Sequence, residues 1–141
     1  MRNACLLLLT LLIMLAAGSC ELKRTNPLDP SSHLEIEAPP RVTGLSAIGS
    51  GPGVESKYVE LKWSKNNINT DGYYIYRGLA YNSAYARIDE VGNVSTGSII
   101  TRVIPIEAPG FYYFKVSAYK IYPGGRLEGP LSEWAIARVD N

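Results

Sequence analysis

The chain has one histidine and two cysteines among 141 residues, and this scarcity removes whole classes of chemistry. His33 sits in a proline-rich stretch with no fixed neighbours, so it is a poor metal ligand or general base. From residue 39 onward there is neither histidine nor cysteine. Nucleophilic catalysis needs a base beside the nucleophile, so serine and cysteine hydrolase arrangements fail. Zinc sites need clusters of Cys, His and carboxylate, and these are missing too. Asp89 and Glu90 are adjacent, but neighbours on a strand point to opposite faces and do not make a carboxylate pair. A non-catalytic protein without metal or cofactor is expected. Net charge is also lacking, at +1, and Arg2 alone accounts for it. A neutral chain has no electrostatic footprint for nucleic acid. Gly49-Ser50-Gly51-Pro52-Gly53 resembles a phosphate cradle in its glycines only. No Gly-Lys-Ser/Thr follows it, so it reads as a turn.

One long apolar run is present, and it comes first. Arg2 gives a positive start, residues 6–17 are apolar except for Thr10, and Ala17-Gly18-Ser19 places small residues before Cys20. Those three regions make a secretory signal. The run is shorter than the roughly 20 apolar residues of a membrane-spanning helix. Residues 1–19 are therefore expected to be removed. Of the two cysteines, Cys5 leaves with the signal and Cys20 remains without a partner. A lone thiol in an oxidising compartment is a liability.

The cleavage site resembles the lipobox of bacterial lipoproteins. The resemblance implies that the Cys20 thiol carries a covalent lipid and that palmitate labels it. The usual leucine three residues before the cysteine is replaced by Ala17, with Leu15 too early for that role. Each buried methylene contributes about 0.8 kcal/mol, and two or more acyl chains give a stable anchor. Glu21 is not the aspartate that often signals inner-membrane retention. The resemblance therefore implies a lipid-anchored protein of the bacterial outer membrane, facing periplasm or surface.

Residues 20–38 have no apolar periodicity and carry Pro27 and Pro30, with Pro39 and Pro40 directly after them. Proline blocks helix and central strand alike and stiffens a tether. From there to residue 141 the chain breaks into short apolar-alternating runs between turn clusters, the pattern of an all-β sandwich. Seven strands are predicted, over 42–48, 58–64, 72–78, 84–91, 98–104, 111–119 and 131–139. In the second, Val59, Leu61 and Trp63 share one face and Tyr58, Glu60 and Lys62 the other. In the sixth, Tyr112, Phe114, Val116 and Ala118 share the face opposite Phe111, Tyr113, Lys115, Ser117 and Tyr119.

Four fragments, in order, carry a second resemblance. They are Val59-Glu60-Leu61-Lys62-Trp63, Gly72-Tyr73-Tyr74-Ile75-Tyr76-Arg77, Tyr112-Tyr113-Phe114-Lys115-Val116-Ser117-Ala118 and Gly129-Pro130-Leu131-Ser132. Together they are similar to the fibronectin type III family. The resemblance covers residues 39–139 and implies a seven-stranded antiparallel immunoglobulin-like β-sandwich with Trp63 in its core. It also implies a tyrosine corner at Tyr112, whose hydroxyl bonds nearby backbone. The family's integrin-binding triplet is absent, because Arg77-Gly78 continues with Leu79.

Two surfaces are candidates for binding. Tyr74, Tyr76, Tyr113 and Tyr119 are expected on the outward face of neighbouring strands, where tyrosines stack on sugars or form an interface core. The plainer alternative is that they stabilise the sheet as cross-strand pairs. The second is the 79–84 loop with Tyr81, since loop tips carry function in sandwiches. The resulting expectation is a membrane-anchored lipoprotein presenting a non-catalytic module to an envelope protein. The alternatives are a carbohydrate-binding or adhesive accessory domain, and a spacer without a ligand.

Overall fold

The computed structural model describes residues 37–94 and 96–141. The leader, Cys20 and nearly all of the expected tether lie outside the described residues. The elements are β1 (Ser46–Gly49), β2 (Tyr58–Ser64), β3 (Gly72–Gly78), β4 (Ala86–Gly92), β5 (Ile99–Pro105), β6 (Gly110–Tyr122), β7 (Gly125–Glu128) and β8 (Ala135–Val139). One sheet runs β1-β2-β5; the other runs β4-β3-β6 with β7 and β8 both on the far side of β6. All pairings are antiparallel.

Period-two patterning produces this sandwich. Val59, Leu61 and Trp63 on β2 have no exposed surface, and neither do Tyr73 and Ile75 on β3 or Phe114, Val116 and Ala118 on β6. Their alternating neighbours face outward, as a strand requires. Trp63 packs edge-on to Tyr73 with ring centroids 5.4 Å apart. Val42 precedes β1 and is still buried in the same core.

The strand boundaries differ from expectation at the end of the fold. β6 is longer, because Tyr122 pairs with Gly125 across the Pro123-Gly124 turn to form β7. The final strand, expected over 131–139, begins only at Ala135 as β8, and β7 before it is an additional strand on the same side of β6. Pro130 has no N–H to give and breaks the ladder there. Flanking bonds keep the path beside β6: Gly129 N–H donates to Ala118 O and Ser132 N–H to Val116 O, both at 2.8 Å. The Ser132 hydroxyl accepts from Val116 N–H at 2.9 Å.

The two sides of the sandwich are unlike. On one, β1 lies against β8 so closely that a Cβ on Gly49 would sit 1.9 Å from Arg138 O. On the other, β4 and β5 are the free edges of their sheets.

Candidate aromatic binding site

The four tyrosines of the expected sheet-face patch do not form one exposed surface. Tyr74 and Tyr119 are 5% and 4% exposed. Their rings stack at 4.6 Å. Arg87 lies 4.5 Å over the Tyr74 ring and Arg126 4.8 Å over that of Tyr119. Arg126 also donates to the Tyr74 hydroxyl at 3.0 Å and to both Glu90 oxygens at 2.9 Å. The Tyr119 hydroxyl donates to Glu90 at 2.8 Å. Half-buried Tyr76 donates to Glu128 at 2.6 Å, and buried Ser117 donates to the same oxygen at 2.5 Å. Long side chains from β4 and β7 have closed over the tyrosines. Sequence periodicity gives the face of a residue; it does not reveal that neighbours on other strands fold over it.

The titration behaviour follows from that closure. Burial and then the bond to Glu90 push the Tyr119 phenol up to about 12. Burial and the bond to Glu128 do the same for Tyr76, again to about 12. The Tyr119 hydroxyl, then Arg126, hold the Glu90 carboxyl below its ordinary value.

Tyr113 belongs to a different group. It pairs with Gly78 on β3 and Ile136 on β8. Its ring meets Trp134 at 5.8 Å and 61°, and Trp134 meets Tyr81 at 6.3 Å and 44°. The two sequence candidates, one on the sheet and one in the loop, are thus joined through Trp134. Tyr81 is 59% exposed, Trp134 46% and neighbouring Leu79 81%.

Local chemistry places these side chains. After β3 the chain turns at residues 80–83, where Ser83 N–H donates to Ala80 O at 3.1 Å and the Ser83 hydroxyl to the same oxygen at 2.9 Å. The Tyr85 hydroxyl then donates to Tyr81 O at 3.2 Å. Gly78 makes room for this fold-back, since a Cβ there would meet Ser83 Oγ at 2.8 Å and the Tyr85 ring at 3.1 Å. Lys115 lies 4.7 Å over the Tyr85 ring. Trp134 faces outward because Ala135, Ala137 and Val139 take the inward positions of β8. That alternation is visible in the sequence and is the signal by which Trp134 could have been found.

Among the described residues there is no group of three or more His, Cys, Asp or Glu that could hold a metal ion. Among the same residues, no helix is long and apolar enough to cross a membrane. The Tyr112 hydroxyl donates to Ala108 O at 2.7 Å, four residues upstream. This is the tyrosine-corner geometry of immunoglobulin-like sandwiches. A crystal structure of an Fn3-like protein from Clostridium thermocellum is similar, with a TM-score of 0.52 and 26% identity over 74% of this chain and 97% of that one. The fold is Fn3-like.

A looser likeness is to titin kinase and its flanking domains, with a TM-score of 0.46 and 17% identity over 71% of this chain and 17% of that one. No family model and no curated protein sequence matches the chain.

Proposed function

We propose that this chain is a bacterial lipoprotein, anchored through lipid on Cys20, that presents a non-catalytic Fn3-like domain as a protein-binding module of the cell envelope. The observation that carries the reading is the cluster of exposed Tyr81 and Trp134 on half-buried Tyr113. Tryptophan and tyrosine are enriched among residues that dominate binding energy. Their exposure here costs the free domain apolar contact with water, which a partner removes.

A protein partner is favoured over a glycan by ring geometry. Planes inclined at 44° and 61° make a notched surface that accepts a protruding side chain. A flat platform for stacked sugar rings calls for parallel planes. The outer membrane is the destination that the residue after Cys20 favours.

Replacing Trp134 and Tyr81 together with serine tests the binding surface. Loss of partner capture with an unchanged melting temperature is the expected outcome. Capture retained by that variant refutes this surface, and retention on arrayed glycans by the wild type alone transfers the role to sugars. For the anchor, Cys20→Ser is expected to leave the membrane fraction and to take up no labelled palmitate. A wild-type protein that incorporates none contradicts the anchor.

A further inference from the structure

The open side of the sandwich carries a second feature, independent of the aromatic cluster. An ion pair spans the β4 and β5 edges there, Arg102 Nε to Asp89 Oδ2 at 2.7 Å. Asp89 reaches across because β4 is bulged. The register passes from Ile75↔Asp89 to Tyr76↔Arg87, leaving Ile88 as the extra residue. A bulge re-aims side chains locally. Here Ile88 packs against the core and Asp89 turns to the gap.

Beside that ion pair lies a groove of about 330 Å³ lined by Arg77, Ile88, Asp89, Arg102, Ile104 and Pro105. It adjoins a hollow of about 290 Å³ where Leu79, Ala84 and Ala86 join Arg77 and Ile88. The larger of the two is at the lower end of small-molecule sites, roughly 300–1,000 Å³. Arg77 stands where the two meet. It follows Tyr73 and Ile75 on the inward side of β3, and its guanidinium lies 5.8 Å from the Tyr112 ring centroid. Tyr112 is itself fixed by the corner bond.

The charge in this groove is unbalanced. Arg102 has Asp89, and the second Asp89 oxygen accepts Glu90 N–H at 2.8 Å. Arg77 has no carboxylate partner among the described residues. It is a planar fork of donors, made for two parallel bonds to a carboxylate, with aliphatic walls on either side.

We propose that this groove binds a small amphipathic monocarboxylate, its carboxylate on Arg77 and its aliphatic chain along Ile88, Ile104 and Leu79. The unpaired guanidinium selects an anion, and one such group selects a single carboxylate. The apolar lining selects an aliphatic tail over a polar one.

Sodium octanoate, kept below its micelle concentration, is the probe. It is titrated into the full chain, and side-chain methyl resonances are followed by NMR. Saturable shifts are expected at Ile88, Ile104 and Leu79, with octanol and octylammonium binding far more weakly. Arg77→Gln is expected to weaken octanoate about tenfold or more, the loss that goes with a charge-assisted bond. Arg77→Lys falls between, because an ammonium cannot bind in the bidentate mode. Equal binding of octanol and octanoate overturns the proposal. So do shifts confined to other residues, or an Arg77→Gln affinity equal to wild type. If Arg77→Gln fails to fold, the Arg77→Lys variant and the three-ligand comparison on the wild type decide alone.

Discussion

At the scale of single residues, stability concentrates in a few aromatic side chains. Trp63 is fully buried, and truncating such a side chain costs about 3–5 kcal/mol. Native domains have only about 5–15 kcal/mol in total. Trp63→Ala is therefore expected to unfold the domain or nearly so, as circular dichroism melting would record. Tyr112→Phe removes only the hydroxyl bonded to Ala108, and a single hydrogen bond contributes about 1 kcal/mol net. That variant folds and melts a few degrees earlier. Trp63 was legible from strand alternation, and the Tyr112 corner bond from the resemblance to the fibronectin type III family. Trp134 was passed over, although the alternation of Ala135, Ala137 and Val139 beside it marks it as outward.

The closed tyrosine network gives a pH signature at the same scale. The Tyr76 and Tyr119 phenols are raised from 10 to about 12, so the folded state resists their ionisation. A raised folded value means stability that is whole below the ordinary phenol range and lost as pH climbs through about 12. Glu90 and Asp71 are shifted the other way, Glu90 by Tyr119 and Arg126, and Asp71 by Lys120 and the Ile121 N–H. Their contribution is present above the ordinary carboxylate range and lost as pH falls through the depressed values. Urea melts from pH 9 to pH 12 are expected to show falling stability that Tyr119→Phe flattens. An unchanged slope in that variant means the alkaline loss arises elsewhere.

At the scale of elements, alternation located the strands, whereas their ends and irregularities depended on contacts distant in sequence. β2 was legible residue for residue, since Val59, Leu61 and Trp63 alternate with polar neighbours. The bulge at Ile88 was not, because it arises from β4 pairing against β3. Nor was β7, which forms because β6 extends past Tyr119 to Tyr122. The closed side of the sandwich gives a direct test of element packing. Gly49→Ala forces a Cβ against the Arg138 carbonyl, where backbone cannot step aside cheaply. Overpacking of this kind costs typically 1–3 kcal/mol. Chemical denaturation of that variant is expected to show the loss, and a midpoint equal to wild type would mean β1 and β8 separate without penalty.

At the scale of the whole molecule, an Fn3-like sandwich presents two unlike outer faces on its larger sheet. Near Tyr74 and Tyr119 the face is sealed by arginine and glutamate. Near Tyr81, Tyr113 and Trp134 it is open and apolar. The sequence identified the sheet, its aromatic richness and the loop. It did not distinguish sealed from open, because that depends on side chains of β4, β7 and the approach to β8 meeting across the sheet. The central claim is that the open end carries recognition. The most direct measurement places a photo-crosslinking residue at position 134 of the full chain in cells, and a second at Thr101 on the opposite sheet, exposed like Trp134. The account predicts one discrete protein adduct at 134, abolished by Tyr81→Ser, and none at 101. Equal crosslinking at both positions, or adducts only at 101, would contradict it.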